Sequence, residues 1–147
     1  MIASPRVIIV DRPDAAIVPI GTPTHSQEEF PMPDTIFHKI MRREIPADIV
    51  FEDDHVIAFR DIAPQAPVHV LFVPKRDFAT LNDVPASEPE IIGRLAVAAA
   101  AWAKAQGFDE DGYRVVMNCN GDGGQTVFQI HLHLLAGAPL GRFGTTA

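Results

Sequence analysis

The sequence predicts an α+β domain built on an antiparallel sheet. Short β-rich runs follow one another as hairpins, and only two segments have helical periodicity. The chain has 147 residues, 47% of them hydrophobic, which is enough to bury the core of one domain. Its net charge of −7 argues against a nucleic-acid polymer as a partner, because such proteins usually present a basic surface.

Residues 1–33 differ in composition from the rest, and we interpret them as a loosely ordered N-terminal extension to a domain at 34–147. Prolines interrupt this segment, and only "RVIIV" and "AAIVPI" are apolar enough for short strands. No apolar run is long enough to cross a bilayer, and the one cysteine, Cys119, excludes an internal disulfide framework. We therefore expect a cytoplasmic protein without a membrane partner.

The first elements of the domain are a short helix and a hairpin. In "DTIFHKIMRREIP", Asp34 is a plausible N-cap and Pro46 forbids continuation of the helix. "DIVFEDDHVIAFRDI" has two β-rich runs around a turn, which indicates a hairpin. "VHVLFVP" predicts a third strand that stops at Pro74.

A long helix follows between Ser87 and Gly107. Ser87 and Glu90 have the spacing of a capping box, and Gly107 suits the position after the helix. Ile92, Leu95 and Trp102 recur at helical spacing, while alanines leave the other faces small and uncharged. A helix with so little polar surface predicts burial on two sides, by its own sheet and by a second subunit.

The strand "YRVVMN" and the loop "CNGDGG" lead to the last strand, "TVFQIHLHLLAG". Alternate side chains of a strand share a face. Phe128, Ile130, Leu132 and Leu134 should therefore face the core. Gln129, His131 and His133 should face the other way, where two imidazoles can touch one small anion.

Three interpretations of these histidines compete. They can be polar residues on a solvated face, ligands of a zinc ion completed by His69 or His38, or catalysts of phosphate chemistry. The glycines of "NGDGGQTV" can form a nest of backbone N–H groups for an anion, although an ordinary glycine-rich turn has the same composition. Loop and histidines together favour phosphate.

Two motifs resemble the histidine-triad family. "GGQTVFQIHLHLLAG" is similar to the signature in which three histidines alternate with apolar residues. "RDIAPQAPVHVL" is particularly close to the Hint branch, whose members hydrolyse purine nucleoside phosphoramidates. The resemblance covers about residues 34 to 142.

The resemblance implies an antiparallel sheet of about five strands with one long and one short helix, in a homodimer joined through the long helix and a central strand. It implies a purine nucleotide substrate, a nucleotidyl-histidine intermediate and no cofactor. His131 would be the nucleophile, His133 would contact the phosphate, and His69 would support the nucleophile. The implied substrate-binding residues, for ribose, base and phosphate, are Asp61, Ile36, Phe37, Ile40, Phe59, Ile62, Asn118, Gly124, Gln125, Thr126 and Val127.

The sequence departs from the family pattern at the first histidine of the triad, which is Gln129 here. Glutamine can hydrogen-bond but cannot move a proton near neutral pH, so we expect Gln129 to orient His131 and to contact phosphate. The structural zinc site of some relatives uses a C-x-x-C pair that is Thr35 and His38 here, so no metal is expected. The C-terminal tail also departs, since "AGAPLGRFGTTA" has alanines and lacks a tryptophan.

Two alternatives remain open at this point. One is a nucleotide-binding or scaffold protein of the same fold whose catalysis is weak because of Gln129. The other is a dinucleoside polyphosphate hydrolase.

Overall fold

A computed structural model of the protein describes residues 33–144. The expected N-terminal extension, with its two candidate strands, lies outside the described residues except for Pro33. The elements in chain order are α1 (Ile36–Met41), β1 (Ile49–Glu52), β2 (Val56–Arg60), β3 (Val68–Pro74), a turn of 3-10 helix (Leu81–Asp83), α2 (Glu90–Ala105), β4 (Arg114–Val116), α3 (Asn120–Gly123) and β5 (Leu132–Ala136).

The five strands form one antiparallel sheet in the order β1-β2-β3-β5-β4. The predicted fold class is confirmed, as are the hairpin and the third strand that ends at Pro74. Asp53 closes the hairpin because its carboxylate accepts hydrogen bonds from the backbone of His55 and Val56. Pairing of β3 with β5 places His69 opposite Leu135, and Leu71 opposite His133.

The sheet has two different faces. On one face, α2 buries Leu95, Ala99 and Trp102 against alternate residues of β2, β3 and β5. On the other face, the short α1 packs Phe37 and Ile40 against the remaining set, including Phe59 and Leu71. His69 and His133 belong to the α1 face by the same alternation.

Both predicted N-terminal helix caps were wrong. The N-cap of α1 is Thr35 instead of Asp34, and it forms a reciprocal capping box with His38. The N-cap of α2 is Pro89, without a side-chain hydrogen bond. Ser87 and Glu90 make no capping box because the residues before α2 form a separate turn, in which the N–H of Glu88 donates to the carbonyl of Pro85.

The predicted end of α2 is close to the observed one. The helix stops at Ala105, and Gly107 follows with φ +82°, a left-handed conformation that favours glycine. Within residues 33–144, none of the helices combines the length and apolarity needed to cross a bilayer.

The last strand is shorter than predicted. It begins at Leu132, so Gln129 and His131 lie before the ladder with β3. The ring of His131 is nevertheless on the same side as that of His133, as predicted, with centroids 4.9 Å apart. Ile130, Leu132 and Leu134 are buried as expected, whereas Phe128 is 45% exposed. The chain leaves the ladder where β3 ends at Pro74, and the N–H of Ile130 donates to the carbonyl of Phe78 instead.

Candidate active site

Three histidines meet on the α1 face of the sheet. The ring centroids of His131 and His133 are 4.9 Å apart, and those of His69 and His133 are 5.2 Å apart. His69 and His131 are buried, and His133 is partly buried. Phe37 closes the cluster on one side, with its ring edge-on to His131 at 4.9 Å.

A backbone carbonyl fixes the tautomer of His131. Its Nδ1 lies 2.8 Å from the carbonyl oxygen of Gln129, which can only accept a hydrogen bond. Nδ1 therefore carries the proton in the neutral ring, and the lone pair is on Nε2. This arrangement presents one unprotonated nitrogen for nucleophilic attack.

A relay of hydrogen bonds fixes the other two rings. The backbone N–H of Gln65 donates to Nδ1 of His69 at 3.1 Å, so the neutral ring carries its proton on Nε2. That Nε2 lies 2.9 Å from Nδ1 of His133 and 3.5 Å from a carboxylate oxygen of Asp61. His133 thus accepts at Nδ1, and its own proton is on Nε2.

The Nε2 of His133 is a buried donor without a hydrogen-bond partner among residues 33–144. Buried polar atoms are normally paired, so an unpaired N–H next to an unprotonated imidazole nitrogen is suited to an acceptor from outside the chain. A phosphoryl oxygen has the required chemistry.

Burial keeps the rings neutral. Desolvation lowers the pKa of His131 and of His69 from the usual 6.5, against the opposing effect of Asp61. Desolvation, together with the charges of His131 and His69, lowers the pKa of His133 to about 4. At neutral pH, the cluster is therefore uncharged and able to act as nucleophile and donor.

Asp61, His69 and His133 also offer ligand atoms that lie within 4.8 Å of one another, as a divalent metal requires. The nitrogen atoms that face each other in this group already share a hydrogen bond. The zinc site considered from the sequence combined His131 and His133 with His69 or His38. In the structure, His38 pairs with Asp77, and His131 directs Nδ1 to a carbonyl.

Comparison with known proteins decides the family. The sequence profile of the HIT domain matches residues 42–140. The chain belongs to the HIT domain family.

The HIT domain protein has relatives of known name. A purine nucleoside phosphoramidase of Escherichia coli K12 is 56% identical over 108 residues, which are 74% of this chain and 91% of the relative. An uncharacterised HIT-like protein of Synechococcus elongatus is 53% identical over 107 residues, which are 73% of this chain and 93% of that protein.

Solved structures agree with this assignment. A HIT family hydrolase from Legionella pneumophila superposes with a TM-score of 0.70 at 49% identity, covering 72% of this chain and 95% of the other. A HIT family hydrolase from Clostridium thermocellum has a TM-score of 0.73 at 41% identity, covering 78% of this chain and 100% of the other.

The residues expected to wall the base lie on and around α1 and β2 of the HIT domain protein. Phe37, Ile40 and Phe59 are buried, and the rings of Phe37 and Phe59 meet edge-on at 5.3 Å. Ile36 is 45% exposed and Ile62 is 92% exposed, so both can contact a ligand but neither belongs to the core. Asp61 lies just past β2, where its carboxylate accepts from the N–H of Ala63.

The glycine-rich loop differs from the predicted nest. Residues 120–123 form α3, and the N–H groups of Gly124 and Gln125 donate to carbonyls of that turn instead of facing a ligand. The side-chain amide of Gln125 bonds the backbone of Asn120, Ala79 and Val127. Thr126 is exposed, Asn118 and Val127 are partly buried, and the Nδ2 of Asn118 lies 3.9 Å from the position of a Cβ on Gly124.

The side chain of Gln129 is fully buried and points away from the expected phosphate contact. Its Nε2 donates to the carbonyls of Pro74 and Arg76, and its Oε1 accepts from the N–H of Phe78. The atom of Gln129 that touches His131 is its backbone carbonyl. Neither this carbonyl nor the N–H of Gln65 could be found from sequence, because backbone groups carry no residue-type signal.

Proposed function

We propose that this HIT family hydrolase cleaves purine nucleoside 5′-phosphoramidates, as an enzyme similar to adenosine 5′-monophosphoramidase. The observation that carries the proposal is the hydrogen bond from Nδ1 of His131 to the carbonyl of Gln129, which leaves Nε2 free to attack. The relative with 56% identity that is named a purine nucleoside phosphoramidase supports the substrate class.

The reaction proceeds in two displacements at the α-phosphorus. Nε2 of His131 attacks, the bond from phosphorus to the amine nitrogen breaks, and the amine nitrogen takes a proton from solvent as it leaves. Water then adds to the phosphorus, the bond between phosphorus and His131 breaks, and the nucleoside monophosphate leaves while the proton of the water returns to solvent. The N–H of His133 donates to a phosphoryl oxygen, where it stabilises the charge that develops in both steps.

His69 and Asp61 act around this centre. His69 holds His133 in the tautomer that donates, through the 2.9 Å contact between their rings. The second carboxylate oxygen of Asp61, beyond its bond to Ala63, is available to accept from the ribose hydroxyls. The apolar side chains of Phe37, Ile36, Ile40, Phe59 and Ile62 line the path of the purine base.

The loop before β5 borders the phosphate. Gly124, Gln125 and Val127 shape it through their backbone and internal hydrogen bonds, while Asn118 and Thr126 provide polar side chains at its rim. Gln129 contributes to catalysis through its carbonyl, which sets the tautomer of His131.

The test is incubation of the purified protein with adenosine 5′-phosphoramidate and, separately, with diadenosine polyphosphates, in each case with and without a chelator. We expect AMP from the phosphoramidate, at a rate that the chelator does not change, because His131 and not a metal supplies the nucleophile. AMP from diadenosine polyphosphates alone would identify a dinucleoside polyphosphate hydrolase. Tight binding of AMP without turnover would identify a nucleotide-binding or scaffold protein, and loss of activity that zinc restores would replace the mechanism with a metal-dependent one.

A further inference from the structure

His131 lies between two supports on different elements. The carbonyl of Gln129 holds its Nδ1 at 2.8 Å, and the ring of Phe37 in α1 packs edge-on against it at 4.9 Å. The direction of the Nε2 lone pair therefore depends on the relative position of α1 and the segment that contains Gln129.

The backbone between Pro74 and Phe78 anchors Gln129. The amide of Gln129 bonds the backbone of Pro74, Arg76 and Phe78 at 3.2, 2.9 and 3.1 Å, and the N–H of Ile130 donates to the carbonyl of Phe78 at 2.8 Å. All the polar atoms of the side chain are used, and the side chain has no exposed surface. Any shift of the segment 74–78 is thus transmitted to the carbonyl that orients His131.

Asp77 joins this segment to α1. Its carboxylate lies 2.9 Å from Nε2 of His38, a residue that is only 8% exposed. Nδ1 of His38 accepts from the backbone N–H of Thr35 at 2.9 Å, so the neutral ring carries its proton on Nε2 and donates it to Asp77. The hydrogen bond closes a ring of contacts from His131 through Gln129, the segment 74–78, Asp77, His38 and Phe37 back to His131.

The position of α1 needs such an anchor. The helix has six residues, from Ile36 to Met41, and helices of this length are not stable without tertiary contacts. Its apolar contacts through Phe37 and Ile40 are non-directional, whereas the hydrogen bond from His38 to Asp77 is directional.

We propose that Asp77 and His38 are positioning residues, whose hydrogen bond couples α1 to the segment 74–78 so that Phe37 and the carbonyl of Gln129 hold His131 in its attacking orientation. The proposal rests on the proposed function for its kinetic consequence, since it assigns no contact with substrate to either residue. It predicts a loss of kcat with little change in KM, because a misplaced nucleophile slows chemistry without removing ground-state contacts.

The kinetic test compares Asp77→Ala, Asp77→Asn and the control Asp109→Ala with adenosine 5′-phosphoramidate, well below the Tm of each variant. Asp109 is exposed in the turn between α2 and β4 and belongs neither to α1 nor to the segment 74–78. Asp77→Ala should lower kcat by about tenfold and change KM by less than about twofold, since small displacements of reacting groups have effects of this order. Asp77→Asn should recover most of the rate, because its amide oxygen can still accept from His38. A kcat for Asp77→Ala within twofold of wild type, or an Asn variant as slow as the Ala variant, would overturn the proposal.

Nuclear magnetic resonance tests the positioning role of Asp77 and His38 independently of the proposed hydrolase activity. The imidazole nitrogen signals of His131 and its cross-peaks to the ring of Phe37 report the orientation of His131 whether or not the wild type turns over a phosphoramidate. Both should change in Asp77→Ala and in His38→Ala, and neither should change in Asp109→Ala. Spectra of His131 that are unchanged in both Asp77→Ala and His38→Ala would refute the coupling, even if the enzyme hydrolyses its proposed substrate.

Discussion

His131 is the residue on which the proposed chemistry depends. Its Nδ1 is committed to the carbonyl of Gln129, and the neighbouring His133 directs its own lone pair to His69. No other imidazole of the cluster offers a free, unprotonated nitrogen in the described structure. In the proposed mechanism a single histidine therefore acts as nucleophile, and the others orient and donate.

Replacement of His131 by alanine should abolish most of the activity. We expect His131→Ala to lower turnover by at least about 10³-fold, or about 4 kcal/mol of barrier, because no other side chain can replace the nucleophile. Binding of AMP, measured by calorimetry, should largely persist. The matched control is His55→Ala, which removes an exposed histidine from the turn between β1 and β2. Near-normal turnover by the His131 variant would exclude it as the nucleophile.

The buried histidines also make both activity and stability sensitive to acid. Burial lowers the pKa of His131 and lowers that of His133 to about 4, so the folded state binds fewer protons than the unfolded chain below pH 6.5. The free energy of unfolding therefore has its full value above pH 6.5 and decreases as pH falls toward 4. The decrease due to His133 alone is about 3 kcal/mol. The acid limb of kcat/KM should accordingly have its midpoint below pH 6.5.

The measurement is kcat/KM and the urea unfolding free energy at several pH values between 4.5 and 8. His133→Asn should reduce the loss of stability with acid, since it removes the imidazole whose pKa is lowered to about 4. An acid limb at or above pH 6.5 would contradict the neutral, desolvated state of His131.

At the scale of elements, the segment 127–131 separates what the sequence could predict from what it could not. The hairpin, β3 and α2 lie where alternation, helical spacing and turn residues place them. Alternation placed His131 beside His133 correctly. It failed for the side chain of Gln129, because β3 ends at Pro74, which has no N–H to continue a ladder. The bends after β3 and before β5 then meet through Gln129, a long-range contact that no local pattern encodes.

The N-cap of α1 also depends on a contact that the local sequence does not specify. Asp34 and Thr35 are both good N-cap residues, and local preference alone does not choose between them. Thr35 is the N-cap because its N–H donates to Nδ1 of His38, while Nε2 of His38 donates to Asp77. A contact with a residue 39 positions away thus decides the first residue of the helix.

The junction around Gln129 should contribute strongly to stability. Gln129→Leu keeps most of the volume but leaves the carbonyls of Pro74 and Arg76 and the N–H of Phe78 without partners. Each such loss costs about 1 kcal/mol or more, so we expect unfolding by urea to show a decrease of about 3 kcal/mol. Gln106→Leu makes the same chemical change at the exposed end of α2 and should stay within about 0.5 kcal/mol of wild type. Equal effects of the two substitutions would show that the buried amide is dispensable.

At the scale of the whole molecule, the outer side of α2 and the edge strand β4 are two surfaces that bear on association. The outer side of α2 carries Val97, which is 70% exposed, beside the small residues Gly93 and Ala101. These residues line an open groove of about 570 Å³ that continues to Phe51. At one edge of the sheet, β4 pairs only with β5 and exposes 42% of Val115. An unpaired edge strand and an apolar helix face are both surfaces that association can cover.

We therefore expect a homodimer in which α2 packs on its symmetry mate and β4, at the edge of the monomer sheet, becomes a central strand. Light scattering at micromolar concentration should give twice the monomer mass of 16.0 kDa. Val97→Glu should shift the mass toward the monomer, because it places a carboxylate in the centre of the apolar helix face. Glu110→Lys, in the exposed turn after α2, should leave the mass unchanged. A wild-type mass near 16.0 kDa would contradict the dimer and would mean that a partner other than a second copy covers α2, or that its apolar face stays in water.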